Sequence, residues 1–369
     1  MNAEVVVYGA SGYTGKLIAW QLAERGIPFI AAGRNAGRLA AEMAKVPELD
    51  GARYECVAAD HDEAALTKLF TGRKAVCNVV GPFMQLGEPV VKACLAAGCH
   101  YLDTTGEQDW MLHLQRNYGE AFARKGLLLV PACSWMWLAG QLAAELALEH
   151  PGIDTLDIAY MADSNTSVAS TMSFLRMLTR EQYFLEHGAL CTWPSATAYP
   201  ISIPGVHRVL DSLPWGGGGE PVWYANDPRV ASCSVLVAFR NQDMLRAIVA
   251  LLVDFEQKHR HLPVAEQEQI TNTLGNQLVS SEPGREVPAR NRSIVSCHGR
   301  GDTGSVTVVL RGNAPYIQTG IFVAEAMRTI LLGRQRGQGF TAPAAAFGAR
   351  EMIAAAAAAG QLAWEATPV

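Results

Sequence analysis

The stretch VVVYGASGYTGKLIA, residues 5–19, places an apolar run directly before three evenly spaced glycines and the start of a helical pattern. A glycine loop between a strand and a helix lets the backbone turn tightly and approach a phosphate, which helix N–H groups then bind. Gly9, Gly12 and Gly15 follow the spacing GxxGxxG, a variant of the more usual GxGxxG. Glycine spacing alone is also compatible with a purely structural turn. Its position between a strand and a helix favours a bound dinucleotide.

Residues 4–130 alternate short apolar runs with amphipathic segments. Runs such as EVVVYG, PFIAAG and KAVCNVVG contain little internal polarity, which is typical of strands that are buried on both faces. Strands that alternate with helices form a parallel sheet whose ligands bind beyond the carboxyl ends of the strands. The predicted fold class is therefore α/β, with a Rossmann-like doubly wound parallel sheet over residues 1–135.

The pattern changes after residue 155, and a length of 369 residues is itself typical of two domains. Residues 191–229 are rich in proline, glycine and tryptophan and are expected to be irregular. Two runs of alternating apolar and polar residues flank a glycine-rich turn in RSIVSCHGRGDTGSVTVVLRG, and this pattern predicts a hairpin. Hairpins in place of crossovers indicate an inserted α+β domain over residues 136–314. The pattern also predicts a strand over 232–239 and helices over 242–259, 316–333 and 344–360.

Charge and cysteine content exclude several classes of partner. The net charge is −5, with 30 basic and 35 acidic residues well mixed, so nucleic acid is not an expected partner. The eight cysteines form no CxxC motif and no zinc-ligand spacing, which indicates free thiols and no metal, and several of them lie in apolar runs where a thiol is expected to be buried. The longest apolar stretches are too short to span a bilayer, and the start of the chain leaves no room for a signal peptide. A cytoplasmic location is therefore expected.

The end of the second predicted strand indicates which dinucleotide is bound. In FIAAGRNAGRLA, Arg34 occupies the position where NAD-binding folds usually carry an acid, and no acid follows until Glu42. A guanidinium pairs with the 2′-phosphate of NADP(H), whereas a carboxylate would hold the 2′-hydroxyl of NAD. Arg38, one helical turn later, has the same role or is a surface residue, and Asn35 lies beside Arg34. The predicted cofactor is NADP(H).

Other residues at the same edge complete the predicted cofactor site. The hydroxyl groups of Ser11, Tyr13 and Thr14 are expected to add contacts to phosphate. Asp60 meets the adenine edge of the cofactor or caps a helix that starts at His61. Gly81 and Pro82 let the backbone run along the nicotinamide half of the cofactor. These candidates are Ser11, Tyr13, Thr14, Asp60, Gly81 and Pro82.

Six stretches together carry a family resemblance: YGASGYTG, AAGRN, VVGPF, GEPVVKACLAAGCHYLDTTGE, APYIQTGIFVAEA and FTAPAAAFG. On these stretches the chain resembles the saccharopine dehydrogenase-like oxidoreductases, which include saccharopine reductases and trans-acting enoyl reductases. The resemblance is dense over residues 4–135 and returns over 311–365. It implies an NADP-binding Rossmann domain, an inserted α+β domain, and a C-terminal helical segment over 315–369 that returns to the first domain.

The resemblance also places the D-x-T-G-E stretch of YLDTTGE at the cofactor cleft. Asp103 and Glu107 are the two carboxylates of this stretch and are the catalytic candidates. Each is expected to hold substrate or relay a proton, or else to cap the helix that begins near Gln108.

The stretch ACSWMWLAGQ departs from the family, because many relatives have Gly-x-Asp-x-x-Pro at this point. An acid is lost and Trp135 and Trp137 are gained, which indicates a more apolar or aromatic substrate mouth, unless both side chains fill the core. Cys133 is a further candidate substrate contact; as a nucleophile it would need a basic partner that the neighbouring sequence lacks.

These features predict an NADPH-dependent oxidoreductase that reduces a C=C, C=N or C=O bond of a small, partly apolar metabolite. Two alternatives remain: a protein that binds or senses NADP(H) without turnover, and a nicotinamide enzyme with no net redox change. The chain is expected to form a homodimer through the sheet of its second domain.

Overall fold

The computed structural model describes residues 3–368. The chain divides into two compact units, each built from several segments. The first unit consists of Met1–Thr105, Trp110–Leu138 and Tyr316–Ala358. The second unit consists of Gly106–Asp109, Ala139–Pro315 and Ala359–Val369.

Strands and helices are numbered in chain order. The strands are β1 (Val5–Tyr8), β2 (Phe29–Gly33), β3 (Tyr54–Ala58), β4 (Ala75–Asn78), β5 (His100–Asp103), β6 (Leu128–Val130), β7 (Thr155–Asp163), β8 (Tyr183–Glu186), β9 (Ala189–Thr192), β10 (Tyr199–Ile201), β11 (Leu210–Leu213), β12 (Ser232–Phe239), β13 (Arg292–Gly301), β14 (Gly304–Asn313), β15 (Gly339–Phe340) and β16 (Leu362–Pro368). The helices are α1 (Tyr13–Glu24), α2 (Ala36–Met43), α3 (Glu63–Phe70), α4 (Phe83–Leu86), α5 (Glu88–Ala97), α6 (Gln108–Arg124), α7 (Trp135–Leu148), α8 (Val168–Met177), α9 (Glu220–Tyr224), α10 (Gln242–Lys258), α11 (Val264–Leu278), α12 (Pro315–Leu331), α13 (Pro343–Phe347) and α14 (Ala349–Ala358).

The first unit is built on a seven-stranded sheet in the order β15-β6-β5-β4-β1-β2-β3. Its strand pairs are all parallel, and the alternation of strands with helices from β1 to β6 follows the predicted pattern. The residues of β1 are at most 1% exposed, because the sheet is covered on both faces. The predicted Rossmann-like sheet is confirmed.

The register of this sheet aligns the carboxyl ends of its central strands. Tyr8, Asn78 and Asp103 are successive neighbours across β1, β4 and β5. Ala32 of β2 pairs with Tyr8 on the other side. The glycine loop after β1, the arginine after β2 and the turn after β4 therefore leave the sheet at one edge, where such folds bind ligands.

The second unit contains a mixed sheet in the order β10-β11-β12-β7-β13-β14-β16, with the β8–β9 hairpin attached to β12. The predicted hairpin is the antiparallel pair β13–β14, in which Arg292 lies opposite Asn313. The central pair β12–β7 is parallel, so this sheet, predicted to be dominated by hairpins, also contains a crossover. The predicted inserted α+β domain is confirmed.

Three segments differ from the sequence-based predictions. The stretch 191–229 contains β10, β11 and α9, because these short elements pair with or pack on a sheet that the local sequence does not reveal. The helix predicted over 344–360 is interrupted at Gly348, whose φ of 88° separates α13 from α14. The last residues form β16, which pairs with β14, so the C-terminal segment is not helical to its end.

Candidate functional site

The glycine loop after β1 is held against β2. The amides of Gly9 and Ala10 both donate to the Ala32 carbonyl, at 2.9 and 3.2 Å. Gly9 has a φ of 93°, which L side chains rarely adopt. A Cβ on Gly15 would lie 2.5 Å from the Gly9 carbonyl oxygen and 2.7 Å from the Ala10 Cα. Glycine is therefore required at both positions for the close packing of α1 on this loop.

The start of α1 suits a pyrophosphate. Gly12 is the N-cap residue, and no side chain caps the first turn, which also contains no acid. The first-turn amides and the positive end of the helix dipole thus face no carboxylate of their own helix. Ser11 and Thr14 are partly exposed beside this turn, whereas Tyr13 is buried and packs edge-on against Tyr316, with ring centroids 5.0 Å apart. Phosphate contacts from these three hydroxyls stay a prediction.

The end of β2 presents exposed arginines. Arg34 follows Gly33, the last residue of β2, and both Arg34 and Arg38 are exposed. Among residues 3–368 no carboxylate pairs with the Arg34 guanidinium. The side chain of Asn35 accepts a hydrogen bond from the Arg38 amide at 2.8 Å and thereby caps α2. A phosphate-binding group is thus available at Arg34, while Asn35 has a structural task.

The loop after β3 corrects one prediction. Helix α3 begins at Glu63, and its cap is Asp62, which accepts a hydrogen bond from the Ala65 amide at 2.9 Å. The alternative that Asp60 caps a helix starting at His61 is therefore wrong, because the helix starts two residues later. Asp60 is exposed, and its contact with adenine stays a prediction.

The turn after β4 approaches the glycine loop closely. A Cβ on Gly9 would lie 2.8 Å from Cγ2 of Val80. The buried side chain of Asn78 accepts a hydrogen bond from the Val80 amide at 3.0 Å and shapes the turn that leads to Gly81 and Pro82. The role of Asn78 was not predicted from the sequence, although a side-chain amide at the end of the apolar run AVCN could have indicated it. Its task is to position the segment predicted to meet the nicotinamide half.

Asp103 is completely buried, and four hydrogen-bond donors surround it. Its Oδ1 accepts from the amides of Thr105 and Ala132 at 3.0 and 2.8 Å. Its Oδ2 accepts from the Tyr101 hydroxyl and from Trp110 Nε1, both at 2.9 Å. Burial raises the pKa of this carboxyl, and the four donors oppose that rise. These contacts connect β5, the end of β6 and α6, which favours a positioning role; the catalytic role stays a prediction.

Glu107 belongs to a buried ion cluster of the second unit. Its carboxylate lies 3.0 Å from Arg176 Nε and accepts a hydrogen bond from Ser173 at 2.8 Å. Arg176 is 0% exposed and also binds Asp109 through two nitrogens, at 2.9 and 2.5 Å. Glu268 lies 3.8 Å from the same guanidinium. Reasoning from the sequence missed this cluster, because its partners are separated by more than 60 residues.

The segment 133–137, which departs from the pattern of many relatives, is buried. Cys133 and Trp137 are 0% exposed and Trp135 is 6% exposed. Burial raises the pKa of the Cys133 thiol, so the sulfur is protonated at neutral pH and is a poor nucleophile. The Trp135 amide donates to the Thr319 hydroxyl at 2.9 Å, which ties the start of α7 to α12. Their role in lining a substrate mouth stays a prediction.

A buried carboxyl of the second unit was also missed. The Tyr160 hydroxyl donates to Glu220 Oε1 at 2.7 Å and accepts from the Gly140 amide at 2.6 Å. Glu220 is 0% exposed, its Oε2 has no hydrogen-bond partner among the described residues, and burial raises its pKa to about 8. A Cβ on Gly140 would lie 2.1 Å from Oε1, so glycine is required there.

We expect the Glu220→Gln variant to lose a pH dependence of stability that the wild type has. The folded pKa of about 8 exceeds the unfolded value near 4.3, so the unfolded chain releases the proton first as the pH rises. Stabilisation by the neutral carboxyl is therefore complete at low pH and declines up to about pH 8. Thermal unfolding across this range should show the variant roughly 5 °C above the wild type at the alkaline end. Parallel melting curves would contradict this assignment.

No group of three potential metal ligands occurs within residues 3–368, and the eight cysteines form no disulfide. Residues 138–365 match the model of a family of unknown function, DUF5938. Residues 5–130 match the model of the saccharopine dehydrogenase NADP-binding domain.

Comparison with individual proteins gives sequence matches over part of the chain and a structural match over 99% of it. The chain is 35% identical over 156 residues to a probable mitochondrial saccharopine dehydrogenase-like oxidoreductase of Arabidopsis thaliana, covering 39% of this chain and 34% of that protein. It is 29% identical over 211 residues to a trans-acting enoyl reductase of Mycobacterium ulcerans, covering 56% of this chain and 48% of that protein. Apo saccharopine dehydrogenase (L-Glu forming) from Saccharomyces cerevisiae shares the fold, with a TM-score of 0.62 over 99% of both chains at 14% identity. The chain spans less than half the length of both curated relatives.

Proposed function

Because the chain belongs to the DUF5938 family and begins with a saccharopine dehydrogenase NADP-binding domain, we propose that it is an NADPH-dependent reductase of a small metabolite. The predicted resemblance to saccharopine dehydrogenase-like oxidoreductases is confirmed, and so is NADP(H) as the cofactor of that domain. The observation that carries the proposed activity is the glycine-loop helix without a side-chain cap, together with an exposed Arg34 at the same sheet edge that has no ion-pair partner among residues 3–368.

The residues around this edge have distinct tasks in the proposed reaction. Gly12 and the first turn of α1 bind the pyrophosphate through backbone amides, and Gly9 and Gly15 give the loop its shape. Arg34 binds the 2′-phosphate. Asn78 holds the turn beside the nicotinamide half. The nicotinamide, when bound, supplies or accepts a hydride, and the protein orients it and the substrate.

The proposed substrate class is small and partly apolar, with a C=C, C=N or C=O bond to be reduced. Support comes from the segment 133–137, where Trp135 and Trp137 replace the acid that many relatives carry. The Mycobacterium ulcerans relative is named as an enoyl reductase, which acts on a C=C bond. A substrate held by several charged groups, such as an amino-acid adduct, fits this segment less well.

Turnover assays separate this proposal from its two alternatives. The purified chain is mixed with NADPH and a panel of enoyl, imine and carbonyl compounds, and loss of the reduced nicotinamide absorbance is followed. A reductase consumes NADPH with at least one compound. A binding or sensing protein binds NADPH without consuming it. An enzyme without net redox change converts its substrate while the NADPH concentration stays constant.

We expect Arg34→Ala to weaken NADPH binding by about 1–3 kcal/mol, the range for charge-assisted hydrogen bonds, and to leave NADH binding almost unchanged. The reason is that only NADPH carries the 2′-phosphate. Calorimetric titration of both nucleotides measures the difference. Arg53→Ala is the matched control, because Arg53 is also exposed but directly precedes β3, at the opposite edge of the same sheet. An equal loss for both nucleotides would contradict the assignment of Arg34.

We also propose that the chain forms a homodimer through its second sheet and acts in the cytoplasm, without nucleic acid. Light scattering tests the dimer, and cell fractionation tests the location. Within the described part of the chain, no helix has the length and apolar character needed to cross a membrane. The Arabidopsis relative is named as mitochondrial, so the location needs its own experiment.

A further inference from the structure

Strand β16 forms one edge of the sheet in the second unit. Among residues 3–368 it pairs with β14 alone, so no strand of this part of the chain lies along its outer side. It is seven residues long, Leu362–Pro368, and every residue after Leu362 is partly or fully exposed. Such an edge presents a row of backbone donors and acceptors to any strand that lies beside it.

The opposite edge of this sheet is protected in a way that β16 is not. That edge is β10, which has three residues and contains Pro200, a residue without an N–H group. In β16 the proline, Pro368, is the last residue of the strand. Short edge strands and prolines discourage the addition of another strand, so β16 is the edge of this sheet that suits strand addition.

The pairing with β14 determines which backbone groups of β16 point outward. The Asn313 amide donates to the Gln361 carbonyl at 3.0 Å, which makes these two residues a hydrogen-bonded pair. Hydrogen-bonded and non-hydrogen-bonded pairs alternate along an antiparallel ladder, and the register is unbroken from here to the end of β16. The residues whose N–H and C=O groups point away from β14 are therefore Leu362, Trp364 and Ala366.

The side chains of β16 indicate a contact surface on the same edge. Trp364 lies at the centre of the strand and is 40% exposed, whereas Leu310, its neighbour across the ladder, is 1% exposed. Tryptophan is enriched in protein–protein interfaces, because it buries a large apolar area when a partner covers it. On the other face of the strand, the Glu365 carboxylate forms an ion pair with Arg311 at 3.0 Å.

We propose that β16 pairs with β16 of a second copy of this chain, antiparallel about a two-fold axis at Trp364. This inference rests on the proposed homodimer, because it names the strand that forms the interface. In this register Leu362 of each copy lies opposite Ala366 of the other, and the two Trp364 residues lie opposite each other. Each outward N–H of these residues then meets a carbonyl of the second copy, and the two indoles form a cross-strand pair. The two sheets join into one continuous sheet.

The charges of β16 fit this register better than the neighbouring ones. Glu365 lies opposite Ala363 of the second copy, and Ala363 pairs across its own ladder with Arg311. Each carboxylate therefore has an arginine on both sides and no like charge opposite it. An axis at Glu365 would place two carboxylates directly opposite each other, which is destabilising. An axis at Ala363 would leave Ala366 outside the paired region.

Ala366→Pro tests the pairing, because proline removes an outward donor and no hydrogen bond to β14. Sedimentation equilibrium compares the variant with the wild type at concentrations of about 1–200 µM, the range in which a small interface dissociates. We expect the wild type to dimerise and the variant to associate at least about tenfold more weakly, since each dimer loses two donors. The circular dichroism spectrum of the variant should match that of the wild type.

Cys56→Pro is the matched control, since β3 is an edge strand of the other sheet and Cys56 is exposed on it. The Ala59 amide donates to the Gly33 carbonyl of β2, so by alternation the Cys56 amide points away from β2. This substitution also removes an outward donor from an edge strand, and it should leave the association unchanged.

Disulfide cross-linking tests the register. In the proposed pairing, Ala363 of one copy and Glu365 of the other form a non-hydrogen-bonded pair with Cα atoms about 4.5 Å apart, which suits a disulfide. An oxidised mixture of Ala363→Cys and Glu365→Cys should therefore form covalent dimers. Either variant alone should not, because identical positions are diagonal neighbours about 7–8 Å apart. The oxidised wild type controls for the exposed thiol of Cys56.

The outcomes separate this inference from the proposals on which it rests. A wild type that is monomeric at every concentration overturns both the pairing and the homodimer, and the proposed reductase activity is unaffected. A dimer that persists in Ala366→Pro, without cross-links in the mixture, overturns the role of β16 while the homodimer stands. Equal cross-linking in the mixture and in either variant alone overturns the pairing as well. If Ala366→Pro does not fold, or if the two experiments disagree, the cross-linking result decides.

Discussion

Asp103→Ala is expected to lower the free energy of unfolding by about 3–5 kcal/mol. The substitution removes the acceptor of four buried donors, the amides of Thr105 and Ala132, the Tyr101 hydroxyl and Trp110 Nε1. A buried donor without a partner costs about 1–3 kcal/mol, and the four costs do not add fully because neighbours relax together. Chemical denaturation measures the loss.

Two control variants separate this positioning role from the predicted catalytic one. Asp60→Ala removes an exposed carboxyl after β3 and should change stability by less than about 0.5 kcal/mol. Asp103→Asn keeps one acceptor oxygen and should be intermediate in stability. If Asp103→Asn were as stable as the wild type and bound NADPH normally but had no turnover, the catalytic prediction would be favoured instead.

Arg176→Met is expected to destabilise the second unit by about 3–5 kcal/mol, which is typical when one partner of a buried ion pair is removed. Glu107 would remain 0% exposed with the Ser173 hydrogen bond but without its cation. Asp109 would lose two charged contacts as well. Thermal or chemical unfolding of the variant measures this loss.

Two further variants test the charge argument. Arg180→Met removes a 28% exposed member of the same cluster and should cost much less, because water screens its contacts with Asp109 and Glu268. Adding Glu107→Gln to Arg176→Met should restore part of the lost stability, because no uncompensated buried charge is left. A double variant that is less stable than Arg176→Met would contradict a charge-based explanation.

Local sequence patterns predicted the first unit well. Buried parallel strands have nearly continuous apolar runs. The strands VVVY, FIAAG and AVCN can therefore be recognised from their own residues, without knowing which strands lie beside them. The glycine loop and the arginine after β2 could be predicted in the same way, because each signal lies within a few consecutive residues: the spacing of the glycines, and an arginine where an acid is usual. The second unit was less predictable, since short strands such as β10 and β11 depend on pairing partners elsewhere in the chain.

The sequence by itself determined that this chain contains a Rossmann-like sheet, where the glycine loop after its first strand lies, and that an arginine and no acid follows its second strand. These features depend on local backbone geometry and on the residue types at strand ends. The tertiary structure alone decided the roles of the buried polar groups. Asp103 receives donors from β5, α6 and the segment after β6, Glu107 contacts Arg176, and Glu220 accepts from Tyr160. Burial makes these contacts strong, and no local pattern shows which distant residues it brings together.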